Sequence, residues 1–326
     1  MNIIEKSKRY IIHRLNNEFA YKDLVNFPKY FEIETVYGCN ARCKMCSIDK
    51  WNRRPKVMSD AIFTKIIADI KPFANQVKRV SLYRDGEPLL DKQMGQRIAR
   101  MKQIGIGDVA ISTNLSLLDK PKSEEILLSG IDTVIMSIDS LNPSTYESIR
   151  VGLKFDRVMQ NAIDFIELRD RHRSDAQIQM RMILMRENER ELDDYLSFWK
   201  KHLRDTDRIY HYPINNWGGQ LESFEPVAKS FEPNLPCIAL WTLMVIHSDG
   251  IVPFCNADFE TKTVSGNVME SDIEQIWTSQ IINARRGNHL NGKKDAFPLC
   301  AKCNVWDEPP DKDGVSHEYA QAAELF

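Results

Sequence analysis

Six short apolar segments separated by stretches of helical period constrain this chain more than any other feature. The strand candidates are Phe31–Tyr37, Arg79–Tyr83, Asp108–Ser112, Thr133–Ile138, Gln177–Met185 and Arg208–Tyr212, each rich in β-branched or aromatic residues. Between them, Ser59–Ile70 opens on a serine suited to an N-cap. In Phe155–Arg171 the residues Phe155, Val158, Met159, Ala162, Phe165 and Ile166 recur at three and four. Strands that alternate with helices predict a parallel α/β sheet, closed into a full or partial barrel. In such folds the loops at the carboxyl ends of strands gather the chemistry.

The flanks differ. Residues 1–30 predict a short amphipathic helix, with Ile3, Ile4, Ile11, Ile12 and Leu15 on one face, packed on the main domain. Residues 214–236 are rich in Asn, Gly and Pro and read as a connector. Leu243–His247 and Ile251–Phe254 flank Ser248-Asp249-Gly250, a hairpin signal, and Ser271–Arg285 has helical period. The expected organisation is therefore an N-terminal extension (1–30), a barrel-like domain (31–213), the connector (214–236), a small C-terminal domain (237–303) and a polar tail (304–326).

A net charge of −2 with 28% charged residues gives no global basicity for nucleic acid. No stretch reaches 18 uncharged apolar residues, and the first residues lack the apolar run of an export signal, so a cytoplasmic protein with no stable membrane association is expected. In a reducing compartment its 7 cysteines read as metal ligands or catalytic thiols, not disulfides.

Three of them, Cys39, Cys43 and Cys46, form C-x3-C-x2-C in the loop after the first strand. Three thiolates in one loop can wrap a cubic iron–sulfur cluster and leave one iron open for a reactant. A zinc site completed from elsewhere is the alternative.

The triplet, placed after the first strand of a (βα)6 pattern, resembles the radical S-adenosylmethionine (SAM) superfamily over about residues 31–213. Further motifs follow in order. Asp85-Gly86-Glu87-Pro88 resembles the family's GGEP, with Asp85 in place of its first Gly. Ser112-Thr113-Asn114 resembles STNG, with Leu115 in place of its Gly. Ser137-Ile138-Asp139 and Ile149-Arg150 resemble later elements. The resemblance implies a partial (βα)6 barrel with a [4Fe–4S] cluster on the triplet. It also implies SAM contacts from Gly86, Glu87, Asn114, Ser137 and Arg150, and a flavodoxin- or ferredoxin-like reducing partner.

The remaining cysteines, Cys237, Cys255, Cys300 and Cys303, are spaced C-x17-C-x44-C-x2-C, and Gly250 stands five residues before Cys255. This segment resembles the SPASM and twitch domains. Four cysteines fit a twitch domain: a small β-hairpin/helix auxiliary domain with one fully ligated [4Fe–4S] cluster, two clusters in all. A zinc half-site is again the alternative.

The resemblance implies reductive cleavage of SAM to a 5′-deoxyadenosyl radical, which takes a hydrogen atom from the substrate. With every cysteine allotted, thiyl chemistry has no free thiol. Oxidation of the substrate radical with help from the auxiliary cluster is then expected: alcohol to ketone on a sugar, aminosugar or cyclitol, as in twitch relatives that dehydrogenate an aminocyclitol. The alternatives are a peptide maturase, for which the roughly 30 residues before the first strand are short of a leader-binding domain, and a non-catalytic zinc protein. Arg181, His211 and Tyr212 are the substrate or base candidates, with Tyr83, Arg84, Asn215, Asn216 and Trp217 also near strand ends or in the connector. Arg181 interrupts an apolar strand, and His211 has a suitable ordinary pKa for a base.

Overall fold

The computed structural model describes residues 2–54, 56–214, 216–221 and 235–303. Asn215, most of the connector and the tail lie outside them.

Nine strands carry the architecture: β1 (Tyr30–Ile33), β2 (Arg79–Ser81), β3 (Val109–Thr113), β4 (Thr133–Ser137), β5 (Gln177–Leu184), β6 (Arg208–Pro213), β7 (Leu243–Ile246), β8 (Ile251–Pro253) and β9 (Val264–Asn267). The first seven form one sheet in the order β6-β5-β4-β3-β2-β1-β7. From β2 through β5 the neighbours pair in parallel, with Ile111 opposite Val134 and Ser137 opposite Arg181. Every residue of β3 and β4 is buried, as expected of central strands in a parallel sheet whose outer face packs against helices and whose inner face lines a barrel. The fold is α/β: a partial (βα)6 barrel with a small C-terminal hairpin-and-helix domain.

The helices start where short polar side chains cap them. The Ser59 hydroxyl accepts from the Ile62 amide, Asp119 caps Lys120–Leu128, and the Asn142 side chain accepts from the Ser144 and Thr145 amides. In the helix Phe155–Arg171 the predicted stripe is the buried one: Val158, Ala162, Phe165 and Ile166. Each large apolar side chain fully buried this way contributes about 1.5–3 kcal/mol.

The chain divides into two compact units. One comprises Glu32–His211 with His247–Asp249; the other comprises Met1–Phe31, Tyr212–Ile246 and Gly250–Phe326. In the second unit the N-terminal helix Ile3–Arg14 buries Ile11 beside Leu15, Leu24, Leu240 and Trp241. No helix among the described residues is long and apolar enough to cross a membrane.

Three local expectations change. Phe31–Tyr37 is not one strand: β1 stops at Ile33, and Val36–Tyr37 pairs instead with Lys56–Val57. Leu243–His247 and Ile251–Phe254 do not pair as a hairpin. β7 joins the large sheet beside β1, and β8 pairs antiparallel with β9. The expected helix Ser271–Arg285 is two, Ile273–Trp277 and Gln280–Leu290. Its period is broken because the Ser279 side chain accepts from the Ile282 amide and starts a new helix.

Candidate active site

The cysteine loop is held at its base by contacts from distant parts of the chain. Arg42–Cys43 pairs with Arg150–Val151, and Gly38 bridges Gly86. Cys39, Cys43 and Cys46 are all half-buried free thiols. Donors are aimed at the sulfurs: the Ala41 amide at Cys39 Sγ (3.4 Å), Asn114 Nδ2 at Cys39 Sγ (3.9 Å) and Arg150 Nη1 at Cys43 Sγ (3.7 Å). Burial pushes the Cys39 thiol up to about 11 and Cys46 to about 12, and it raises Cys43 against the pull of Arg150. Thiols held that high are inert until a metal cation supplies the charge that deprotonates them. Half-buried sulfurs on one loop, two of which already receive hydrogen bonds, fit an iron–sulfur cluster.

The Gly86-Glu87-Pro88 turn sits directly against this loop. At Gly86 (φ +149°) a Cβ would lie 2.4 Å from the Val36 carbonyl oxygen and 2.6 Å from that of Gly38, so only glycine lets the two backbones meet. The Glu87 amide donates to Gly38 O (2.9 Å). The Glu87 carboxylate is buried and engaged: it accepts from Thr113 Oγ1 (2.7 Å), the Asn114 amide (2.8 Å) and the Leu89 amide (3.1 Å). It thus ties the turn after β2 to the end of β3. Asn114 bridges to Asn40 Oδ1 (3.0 Å). Leu115 occupies the position of the family's glycine with φ +66°, a left-handed conformation that a leucine adopts at a cost of about 1–2 kcal/mol.

Arg150 is fully engaged. Its Nε donates to Asp139 Oδ2 (2.5 Å), while Asp139 Oδ1 accepts from the Ile183 amide (2.8 Å). Ser137 Oγ accepts from Arg181 Nη2 (2.7 Å), which also reaches Ser112 Oγ (2.8 Å). Arg181 therefore points along the carboxyl ends of β3 and β4, not outward. His211 is less involved: among the described residues it hydrogen-bonds none of these side chains. His211 and Tyr212, both half-buried on β6, fall on either side of the boundary between the units. Arg84 pairs with Glu32 (3.1 Å), while Trp217 packs edge-on against Phe259 and Asn216 donates to the Lys302 carbonyl. Tyr83 is half-buried.

Asp85, the departure from the family's first glycine, belongs to a buried polar cluster that sequence reading missed. Glu34, Asp85 and His247 bring one ligand atom each within 4.8 Å of one another. Glu34 accepts from Arg53 Nη2 (2.5 Å) and the Ser248 amide (2.9 Å). Burial and the Asp85 charge push Glu34 up to about 7, against the pull of Arg53, while burial and the two guanidiniums of Arg53 and Arg84 hold His247 well below the usual imidazole value. The one hint in the sequence is a glutamate closing an apolar strand.

In the other unit the remaining cysteines lie near enough to Cys300 to be felt by it. Cys300 is raised by burial first, then by the nearby Cys255, Cys237 and Cys303. The Cys237 amide donates to His289 Nδ1 (3.3 Å), and Cys255 opens a turn closed by the Asp258 carboxylate on the Lys262 (2.8 Å) and Thr263 (3.0 Å) amides. Gly250, at φ +88°, would bring a Cβ to 3.0 Å from Asn267 Oδ1, which explains the glycine ahead of Cys255.

Fold and site together define a SAM-cleaving iron–sulfur enzyme. Residues 33–198 match the Radical SAM superfamily, and residues 237–304 match SPASM, an iron–sulfur cluster-binding domain. The chain belongs to the radical SAM superfamily and carries a C-terminal SPASM/twitch-like cluster-binding domain.

Among relatives, the tungsten-containing aldehyde ferredoxin oxidoreductase cofactor-modifying protein of Pyrococcus furiosus is 24% identical over 321 residues, 86% of this chain and 88% of its own. The GTP 3′,8-cyclase of Limosilactobacillus fermentum is 27% identical over 192 residues; the match takes in 57% of this chain but only 55%, about half, of that enzyme. Among solved structures, BtrN in complex with AdoMet and 2-DOIA has a TM-score of 0.60 at 20% identity, over 85% of this chain and 93% of that one. SuiB of Streptococcus suis, bound to precursor peptide SuiA, has a TM-score of 0.66 at 18% identity, over 90% and 73%.

Proposed function

We propose that this enzyme is a radical SAM dehydrogenase that oxidises an alcohol carbon of a sugar, aminosugar or cyclitol. The reading rests above all on the allotment of the seven cysteines, three in the loop beside the motif residues and four in the other unit. No thiol is left over to return a hydrogen atom.

Cys39, Cys43 and Cys46 would hold the first [4Fe–4S] cluster, and Cys237, Cys255, Cys300 and Cys303 the second. When bound, SAM on the first cluster supplies hydrogen-atom abstraction and the second cluster supplies an electron acceptor. Oxidation then balances as loss of one hydrogen atom from carbon, one electron and one hydroxyl proton, leaving a carbonyl. Gly86 and the backbone of its turn would receive the SAM amino group, while Glu87, already spent on Thr113 and Asn114, fixes the turn's shape. Asn114 and Arg150 orient Cys39 and Cys43 through their sulfurs and frame the SAM site. Ser137, held by Arg181, would meet the SAM carboxylate. The Arg181 cation at that edge suits an anionic or hydroxyl-bearing group. His211 and Tyr212 are the proposed base and substrate contacts. A reducing cytoplasm and a flavodoxin- or ferredoxin-like donor complete the scheme.

The match of the Pyrococcus furiosus cofactor-modifying protein over most of both chains supports a small-molecule substrate. The likeness to SuiB with its peptide favours a second reading, a peptide maturase.

Anaerobic reconstitution with SAM and dithionite tests both parts. Iron near eight atoms per chain is expected, by the two-cluster count. 5′-Deoxyadenosine should be lost in Cys43→Ala and persist, uncoupled, in Cys255→Ala. Cleavage that survives Cys43→Ala, or zinc in place of iron, overturns the assignment. A panel of cyclitols, aminosugars and short peptides, read by mass for loss of two hydrogens, separates the two substrate classes.

A further inference from the structure

Arg285, in the helix Gln280–Leu290, is 2% exposed. Its Nη1 donates to the Phe254 carbonyl (3.1 Å) and to Ser265 Oγ (2.6 Å), and the guanidinium lies 4.0 Å from the centre of the Phe254 ring. Ser265 Oγ is itself anchored on the Pro253 carbonyl (2.7 Å). The guanidinium is thus clamped on the strand that leads into Cys255. Its second terminal nitrogen, Nη2, is buried with no hydrogen-bond partner among the described residues.

Charge balance makes this arrangement informative. A buried guanidinium without an anion costs several kcal/mol. The groups close enough to offset that cost at Arg285 are Cys255, Asp258 and Cys300. Asp258 spends its carboxylate on the Lys262 and Thr263 amides of its own turn. Its charge offsets part of that cost, but with its oxygens so occupied the neighbours left to accept from Nη2 are the sulfurs of Cys255 and Cys300. Arg285 and Cys255 also line the same small, otherwise mostly apolar cavity.

We infer that Arg285 is a positioning residue for the second cluster: its Nη2 donates to a sulfur of that cluster, and its charge makes the cluster a better one-electron acceptor. A cluster on four thiolates is a net anion and gains one further negative charge on reduction, with no proton taken up. A fixed neighbouring cation stabilises the reduced form more than the oxidised one, so the reduction potential rises. The inference rests on the two-cluster reading and assigns a specific residue to tuning its acceptor.

The test uses the full chain with Cys39, Cys43 and Cys46 all replaced by Ala, so that only the second cluster titrates. Potentials are read from the EPR signal of the reduced cluster during a mediated redox titration. Arg285→Gln should keep its iron and lower the one-electron reduction equilibrium constant at least tenfold, about 59 mV. Arg285→Lys, which keeps the charge, should fall by less. An unchanged potential in Arg285→Gln overturns the inference. Should that variant lose iron, pulsed EPR on the chain with native Arg285, labelled with guanidino-15N arginine, decides alone. A 15N coupling to the reduced cluster is expected, and its absence overturns the inference. Iron with an unmoved potential refutes only the role of Arg285, whereas zinc and no iron at Cys237, Cys255, Cys300 and Cys303 removes the two-cluster reading itself.

Discussion

Gly86→Ala is the sharpest perturbation of the site available, because both atoms it would strike are backbone. The new methyl would sit 2.4 Å from Val36 O and 2.6 Å from Gly38 O, so neither a rotamer change nor a side-chain shift relieves it. The turn must move away from the base of the cysteine loop, and the hydrogen bond from the Glu87 amide to Gly38 O is lost. Overpacking costs about 1–3 kcal/mol, the hydrogen bond about 1, and a non-glycine residue at positive φ about 1 or more. Together that is about 3–6 kcal/mol, a large share of the ~5–15 kcal/mol typical of a folded domain.

Gly105→Ala is the matched control. Its φ is +91° and a Cβ there meets nothing within 4 Å, so it carries only the conformational cost of about 1 kcal/mol. Urea unfolding of the apoproteins, followed by tryptophan fluorescence, measures both. Gly86→Ala should also retain less iron on the triplet and form little 5′-deoxyadenosine. Equal stabilities for the two variants, or a Gly86→Ala protein within 1 kcal/mol of wild type, would refute the reasoning that this close approach builds the site.

Other outcomes follow from the same structure. Asp139→Asn breaks a buried pair with Arg150 and should cost about 3–5 kcal/mol by denaturant titration, with weaker iron retention at Cys43. Leu115→Gly relieves about 1 kcal/mol of backbone strain but removes a fully buried side chain, so a net loss of about 1–4 kcal/mol is expected in the same assay. Burial holds His289 down to about 4, below its ordinary 6.5. As pH falls from about 6.5 to 4 the unfolded chain takes up a proton that the folded one refuses, so stability drops by up to about 3 kcal/mol across that window. His289→Gln should flatten that slope in denaturant titrations at pH 4.5–7.

The sequence reveals local patterns here and hides long-range pairings. β3 and β4 stand out because both of their faces are buried and every residue is compatible with a core. The two cysteine sets stand out because ligand spacing is a local property. β7 was hidden: Ser248-Asp249-Gly250 mimics a hairpin turn, while the strand's true neighbour, β1, lies some 200 residues upstream. The break after Ile33 was hidden for a similar reason. Glu34 answers to Arg53, Asp85 and the Ser248 amide, none of them near it in sequence. The groups that donate to the sulfurs, Asn114 and Arg150, also come from far along the chain but belong to recognisable motifs, whereas Arg285, whose charge is felt by Cys255 and Cys300, belongs to none.

The two-residue ladder between Arg42–Cys43 and Arg150–Val151 carries a consequence for biosynthesis. The three thiols leave the ribosome first, and the strand and guanidinium that shape Cys43 follow roughly a hundred residues later. At ~5–20 residues per second, that interval is about 5–20 s. Until it ends, the nascent chain carries three exposed, unarranged thiols in place of a cluster site. Iron delivered in that interval meets an unarranged set of thiols, and productive loading belongs after Arg150 and Val151 have been made.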